Sequence, residues 1–137
     1  MVARIVGHMV DYRLELVGLP IADIDRSRTF YGTTLGWPVD FDREVDEKIH
    51  FIQVTPPGSA CSIAFGRGIS EMQPGTLKGL QVVVKDADEA FADLRARGVE
   101  CSEIETLAWG RFIYFSDPDG NAWAVQELPD YAAGAHS

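Results

Sequence analysis

Two stretches of this chain are punctuated in the same way. Asp23 precedes Ile24 and Gly36 closes the first; Asp86 precedes Ala87 and Gly98 closes the second. Asp is a preferred N-cap, because its carboxylate accepts from free backbone N–H groups. Gly past the last turn accepts the left-handed conformation that ends a helix. Ser27, Phe30, Tyr31, Thr34 and Leu35 fall on one helical face of the first stretch. Ala87, Ala90, Phe91 and Leu94 follow the i, i+3, i+4, i+7 pattern in the second. The two helices recur at an offset of about 62 residues, the mark of a duplicated supersecondary unit.

Strand signals complete each unit. Residues 12–21 read as a largely buried strand before the first helix, and 37–42, 50–54 and 61–65 as strands after it. Residues 80–84 precede the second helix, and 99–104, 111–115 and 122–126 follow it. Each half is therefore β-α-β-β-β. The expected fold is α+β: two such modules forming a cupped mixed sheet with helices outside. One domain covers residues 1–137, with modules at 12–66 and 80–128, a connection at 67–79 and a tail at 129–137. A cup lined by sheet residues is a natural small-molecule site.

Charge narrows the partners. The net charge is −9 and no basic block is present, which argues against a nucleic-acid surface and against an anionic membrane surface. No apolar run reaches the roughly 18 residues of a membrane span. Arg4 and His8 interrupt any signal-peptide core. Cys61 and Cys101 lie far apart without a CxxC pair, which points to a reducing, cytoplasmic setting. Neither a GxSxG elbow nor a Cys–His pattern offers a nucleophile.

The stretch Phe115–Glu127, FSDPDGNAWAVQE, is a strand, a tight turn and a second strand. Pro118 presets φ, Gly120 accepts positive φ, and the Asp and Asn side chains bond nearby backbone. Together with PIADIDRSRTFYGTTLGWPV and VVVKDADEAFADLRARGVE, it resembles the vicinal oxygen chelate superfamily over residues 12–128. That group includes glyoxalase, bleomycin-resistance, fosfomycin-resistance and extradiol-dioxygenase proteins. The resemblance implies a homodimer and, in most members, a divalent metal on the floor of the cup.

The metal positions that the resemblance implies fall here on Leu16, Gly79 and Ala124, and roughly on Ile63. None of these side chains offers a nitrogen, oxygen or thiolate donor. The expectation is a member with no metal and no cofactor. His8, His50 and His136 are the only histidines, and only His50 lies on a predicted strand. Glu127 alternates to the face opposite Ala124 and Gln126.

Alternation then gives the cup lining. Leu16, Ile63, Phe65, Gln81 and Gln126 point inward, and Gln53 or His50 joins them according to register. Trp109, Arg111 and Tyr114 stand near its mouth. Gln81 and Gln126 can read a ligand or bond each other. The expected function is metal-independent binding of a small apolar or aromatic molecule. The alternative is a metal-dependent lyase, isomerase or dioxygenase with ligands relocated to His50, Gln81 or Gln126. A regulatory module whose cup is filled by its own side chains is a third option.

Overall fold

The computed structural model describes residues 9–130. His8 and His136 lie outside the described residues. The element order is β1 (Leu16–Gly18), α1 (Ile24–Arg28) with a π-helical continuation (Thr29–Thr34), β2 (Val39–Glu44), β3 (His50–Val54) and β4 (Ser62–Arg67). Then follow β5 (Leu80–Val84), α2 (Ala87–Ala96), β6 (Glu105–Leu107), β7 (Gly110–Ser116) and β8 (Ala122–Glu127). The strands form two four-stranded sheets, β1-β4-β3-β2 and β5-β8-β7-β6. In each sheet the first strand pairs parallel with the last, and the other pairs are antiparallel. The two sheets are copies of one design, as the repeat requires.

Both helices begin and end on the expected residues. The Asp23 carboxylate accepts from Arg26 N–H, and the Asp86 carboxylate accepts from Asp88 and Glu89 N–H. Gly36 has φ +72° and Gly98 φ +82°, the conformation that a residue with a Cβ resists. The first helix widens after one turn, and Leu35 N–H donates five residues back to Phe30 C=O at 2.8 Å. Gly32, Thr33 and Thr34 are weak helix formers, so little holds this segment to the α ladder.

Two strands differ most from their expected bounds, while the others shift by no more than two residues. The first is three residues long, because only Leu16–Gly18 has a partner, in β4. The sixth lies at Glu105–Leu107 rather than 99–104; from the earlier span, Cys101 alone bridges to Phe115. Val99 is instead buried beside the end of α2, where its N–H donates to Leu94 C=O.

One core joins the two sheets. Tyr31 is fully buried between them, 5.6 Å from the Phe65 ring of β4 and 6.0 Å from the Trp123 ring of β8. Ile52, Val54 and Ile63 meet Ile113, Phe115 and Val125 in the same cluster. The sheets of one chain thus meet through their helix-covered faces. Their other faces are open.

The DPDGN turn pins this seam. The Asp117 Oδ1 accepts from the N–H groups of Asp119, Gly120 and Asn121. Its Oδ2 accepts from Tyr31 Oη at 2.8 Å and from Asn121 Nδ2 at 2.8 Å. Asn121 Nδ2 also donates to Pro20 C=O at 2.9 Å, and Asp119 accepts from Ala22 N–H and Arg26. The turn therefore stitches the second module to the loop that precedes the first helix.

Candidate functional site

Strand register decides which side chains share an open face. In the N-terminal sheet, Leu16 pairs with Ser62 and Gly18 with Ala64. Ala64 pairs with Gln53, and Gln53 with Phe41; Gly66 pairs with Phe51, and Phe51 with Arg43. In the C-terminal sheet, Gln81 pairs with Ala124 and Val83 with Gln126. Tyr114 pairs with Ala124 and Phe112 with Gln126. Paired residues project to the same side of a sheet. The opposite side carries the core residues Ile63, Phe65, Ile113, Trp123 and Val125.

The predicted lining residues divide accordingly. Leu16 and Gln53 stand on the open face of the first sheet. Gln81, Gln126 and Tyr114 stand on that of the second. Trp109, in the turn between β6 and β7, is 60% exposed. Four residues are corrected. Ile63 and Phe65 are buried in the core, because β4 presents its odd-numbered residues to Tyr31 and the first helix. His50 lies on the helix side too, where its Nε2 is 2.7 Å from Asp42 Oδ1. Arg111 also points to the helix side and pairs with Asp88 at 3.2 Å and Glu127 at 3.1 Å.

The cup itself does not close within one chain. Because the sheets meet through their backs, their open faces are separate, and Val83, Phe41 and Tyr114 are exposed on them. A groove of about 710 Å³ runs instead along the seam between Phe30, Thr34 and the 98–102 loop, and Tyr114 is its one link to the predicted lining.

The open face of the second sheet is partly pre-set. Gln81 Nε2 donates to Gln126 Oε1 at 2.6 Å, and Gln126 Nε2 donates to Trp109 C=O at 2.8 Å. The amides thus bond each other, one of the two arrangements open to them from sequence. Phe112, which the sequence reading missed, stacks with Tyr114 at 6.0 Å and 6°. The Tyr114 phenol donates to Glu105 at 3.0 Å, and burial followed by this carboxylate raises its pKa. Counting by two from Gly110 would have found Phe112 and placed Arg111 on the other side. On the first sheet, Gln53 Nε2 donates to Ser62 Oγ at 3.2 Å.

Arg28, Asp42, His50 and Glu127 serve the back of the molecule. Arg28 bonds Asp42 at 2.7 Å and Asp25 at 2.6 Å. Hydrogen bonds from Arg28 first, and then from His50, hold the Asp42 carboxyl below its ordinary pKa. Glu127 accepts from Ala87 N–H at the start of α2, which explains a carboxylate on the helix side. The Tyr31 phenol is pushed far up, by burial first and by Asp117 next, and so remains a donor.

The described residues do not fit a metal. Leu16, Gly79 and Ala124 offer no donor, and the β4 register puts Ala64, not Ile63, at the place matching Ala124. Among the described residues, no three His, Cys, Asp or Glu side chains converge. His50 and the Gln81–Gln126 pair lie on different sheets and opposite faces, so the relocated ligand set is not assembled within the chain.

A family profile described as Glyoxalase/Bleomycin resistance protein/Dioxygenase superfamily matches residues 7–125. Among solved structures, TnmS3, an antibiotic binding protein from Streptomyces sp. CB03234, is 31% identical. The match covers 89% of this chain and all of that one, with a TM-score of 0.79. A member of the same superfamily from Sphaerobacter thermophilus is 33% identical over 88% of this chain and 99% of its own, with a TM-score of 0.75. YetH of Bacillus subtilis is 22% identical over 119 residues, 84% of this chain and 98% of its own length.

Proposed function

The chain belongs to the Glyoxalase/Bleomycin resistance protein/Dioxygenase superfamily, and from that premise we propose that it binds a small apolar or aromatic organic molecule without a metal. The observation that carries this reading is the chemistry of the open faces. Where the family's metal would sit there are Leu16, Gly79, Ala64 and Ala124, and around them stand aromatic rings and amides. Apolar walls with a few fixed polar groups suit such a ligand. TnmS3, itself an antibiotic binding protein, supports a sequestering role rather than turnover.

The ligand cup is completed by a second copy. One chain presents each half of a cup on a separate open face, so the N-terminal sheet of one copy faces the C-terminal sheet of the other, twice, about a two-fold axis. Leu16 and Gln53 line one wall; Gln81, Gln126 and Tyr114 line the other, with Trp109 at the rim. Gln81 keeps its carbonyl oxygen for the ligand while its amide holds Gln126. A cytoplasmic location belongs to this reading. No described helix is long and apolar enough to cross a membrane.

Titration with 1-anilinonaphthalene-8-sulfonate, an aromatic and largely apolar probe, tests it by fluorescence. Binding is expected to saturate, to be unchanged by EDTA, and to weaken about tenfold in Tyr114→Ala through loss of one aromatic wall. Saturable binding that EDTA abolishes and one divalent metal restores would contradict it.

A further inference from the structure

Each open face carries a hydrogen-bond relay that runs in one direction only. On the C-terminal sheet the relay starts at the Trp109 carbonyl, which accepts and never donates. Gln126 must turn its Nε2 to that carbonyl, at 2.8 Å, and its Oε1 towards Gln81. Gln81 must in turn donate to that oxygen, at 2.6 Å, so its own Oε1 is left without a partner among the described residues. Gln126 is only 7% exposed, and a Cβ on Gly110 would lie 3.0 Å from its Nε2, so packing holds the amide in place. Reversing either amide would set oxygen against oxygen.

The N-terminal sheet reaches the same end with different residues. The Asp40 carboxylate takes the Thr55 hydroxyl proton. The buried Ser62 hydroxyl, 2.6 Å from Thr55 Oγ1, must then donate to Thr55. Ser62 Oγ accepts from Gln53 Nε2 at 3.2 Å, and Gln53 Oε1 is again left over. Small residues lie beside both oxygens. Gln53 is in register with Ala64 and Gly18 on one side and Phe41 on the other. Gln81 is in register with Ala124 and then Tyr114, whose phenol proton is committed to Glu105. Each wall is thus a flat strip next to an aromatic ring, with an acceptor of fixed sense at its side.

We propose that the cup selects its aromatic ligand by hydrogen-bond donors: hydroxyl or N–H groups on the ring system meet Gln53 Oε1 on one wall and Gln81 Oε1 on the other, with Ser62 and Gln126 as the positioning residues that fix those amides. A ligand whose polar groups are all ethers leaves both oxygens desolvated and unpaired, and the relays keep the amides from turning towards it. Each glutamine retains a second N–H, so acceptors on the ligand are served as well, but only beside donors. The inference rests on the metal-free cup proposed above and names its ligand class.

Competition against bound 1-anilinonaphthalene-8-sulfonate tests it, with naphthalene-2,6-diol and its dimethyl ether as competitors that share a ring system and differ in donors. The wild type is expected to bind the diol about a hundredfold more tightly, roughly tenfold for each acceptor that the ether orphans. Gln126→Leu frees Gln81 to turn its N–H outward, and Ser62→Ala frees Gln53. Each should reduce the preference about tenfold, chiefly through tighter binding of the ether, with the fluorescent probe still bound. Gln81→Leu, at an exposed position, should reduce it equally and gives a reading even where Gln126→Leu does not fold. Equal binding of diol and ether by the wild type, or a preference undiminished in Gln81→Leu or in the folded relay variants, would overturn the inference and leave the metal-free site standing. A wild type that does not bind the fluorescent probe would overturn that site and the inference with it.

Discussion

At the scale of single residues, Tyr31 and Asp42 carry the testable content. The Tyr31 hydroxyl donates to Asp117 and accepts from Trp123 Nε1–H at 2.9 Å, all within the core. Tyr31→Phe keeps the ring and leaves a buried N–H without its acceptor. It should cost about 1–3 kcal/mol in a urea melt, the usual cost of an orphaned buried polar group. Asp42 gives a pH dependence of defined sign. Its folded pKa is depressed, so its stabilising contribution is complete above the ordinary carboxylate pKa, about 4, and is lost as pH falls through the lower folded value. Asp42→Asn should be less stable at neutral pH, and its thermal midpoint should fall less steeply than that of wild type below about pH 4. Equal slopes for the two proteins would remove Asp42 from the account. What the sequence hid at this scale was the side of the sheet. Ile63 and Phe65 stand one position out of phase, and a slip of one residue in a strand reverses every side chain; the choice between His50 and Gln53 waited on register, and Arg111, expected at the mouth, turns to the helix side. Gln81 and Gln126 fall on the open side as expected, because their phase is tied to the Asp86 cap and to DPDGN.

At the scale of elements, punctuation was legible and pairing was not. The Asp and Gly that bound each helix act locally, so short-range chemistry sufficed to place them. β1 depends on β4, a partner more than forty residues away, and its bounds moved once β4 was in place; β6 is set instead by a tight hairpin with β7, which places it at 105–107. The π-helical turn has no short-range signature beyond weak helix formers. The connection before β5 gives a graded prediction. A Cβ on Gly98 would meet nothing, so Gly98→Ala should cost only the backbone strain of φ +82°, about 1 kcal/mol. A Cβ on Gly75 would lie 1.9 Å from Asp119 C=O, in the turn that joins the modules. Gly75→Ala must displace backbone there, and it should lower the thermal midpoint clearly more than Gly98→Ala. If the two fall equally, the contact between this connection and the DPDGN turn does not hold the modules together.

At the scale of the whole molecule, the repeat and the family signature gave the architecture, but not which faces meet. From sequence, two modules with helices outside imply a cup between them. In the chain the helix-covered faces meet instead, through Tyr31 and Trp123, and the cup halves are left open. No local pattern distinguishes these arrangements, since each module buries the same residues in both. The absence of donors at the metal positions was legible, because it depends on residue identity at positions counted from Asp23 and from DPDGN. The central claim is therefore a metal-free cup shared by two copies. Native mass spectrometry with elemental analysis on one sample, purified without added metal, tests it most directly. The account predicts the mass of a dimer, metal far below one equivalent per chain, and organic rather than inorganic adducts. One tightly held divalent metal per chain would contradict it.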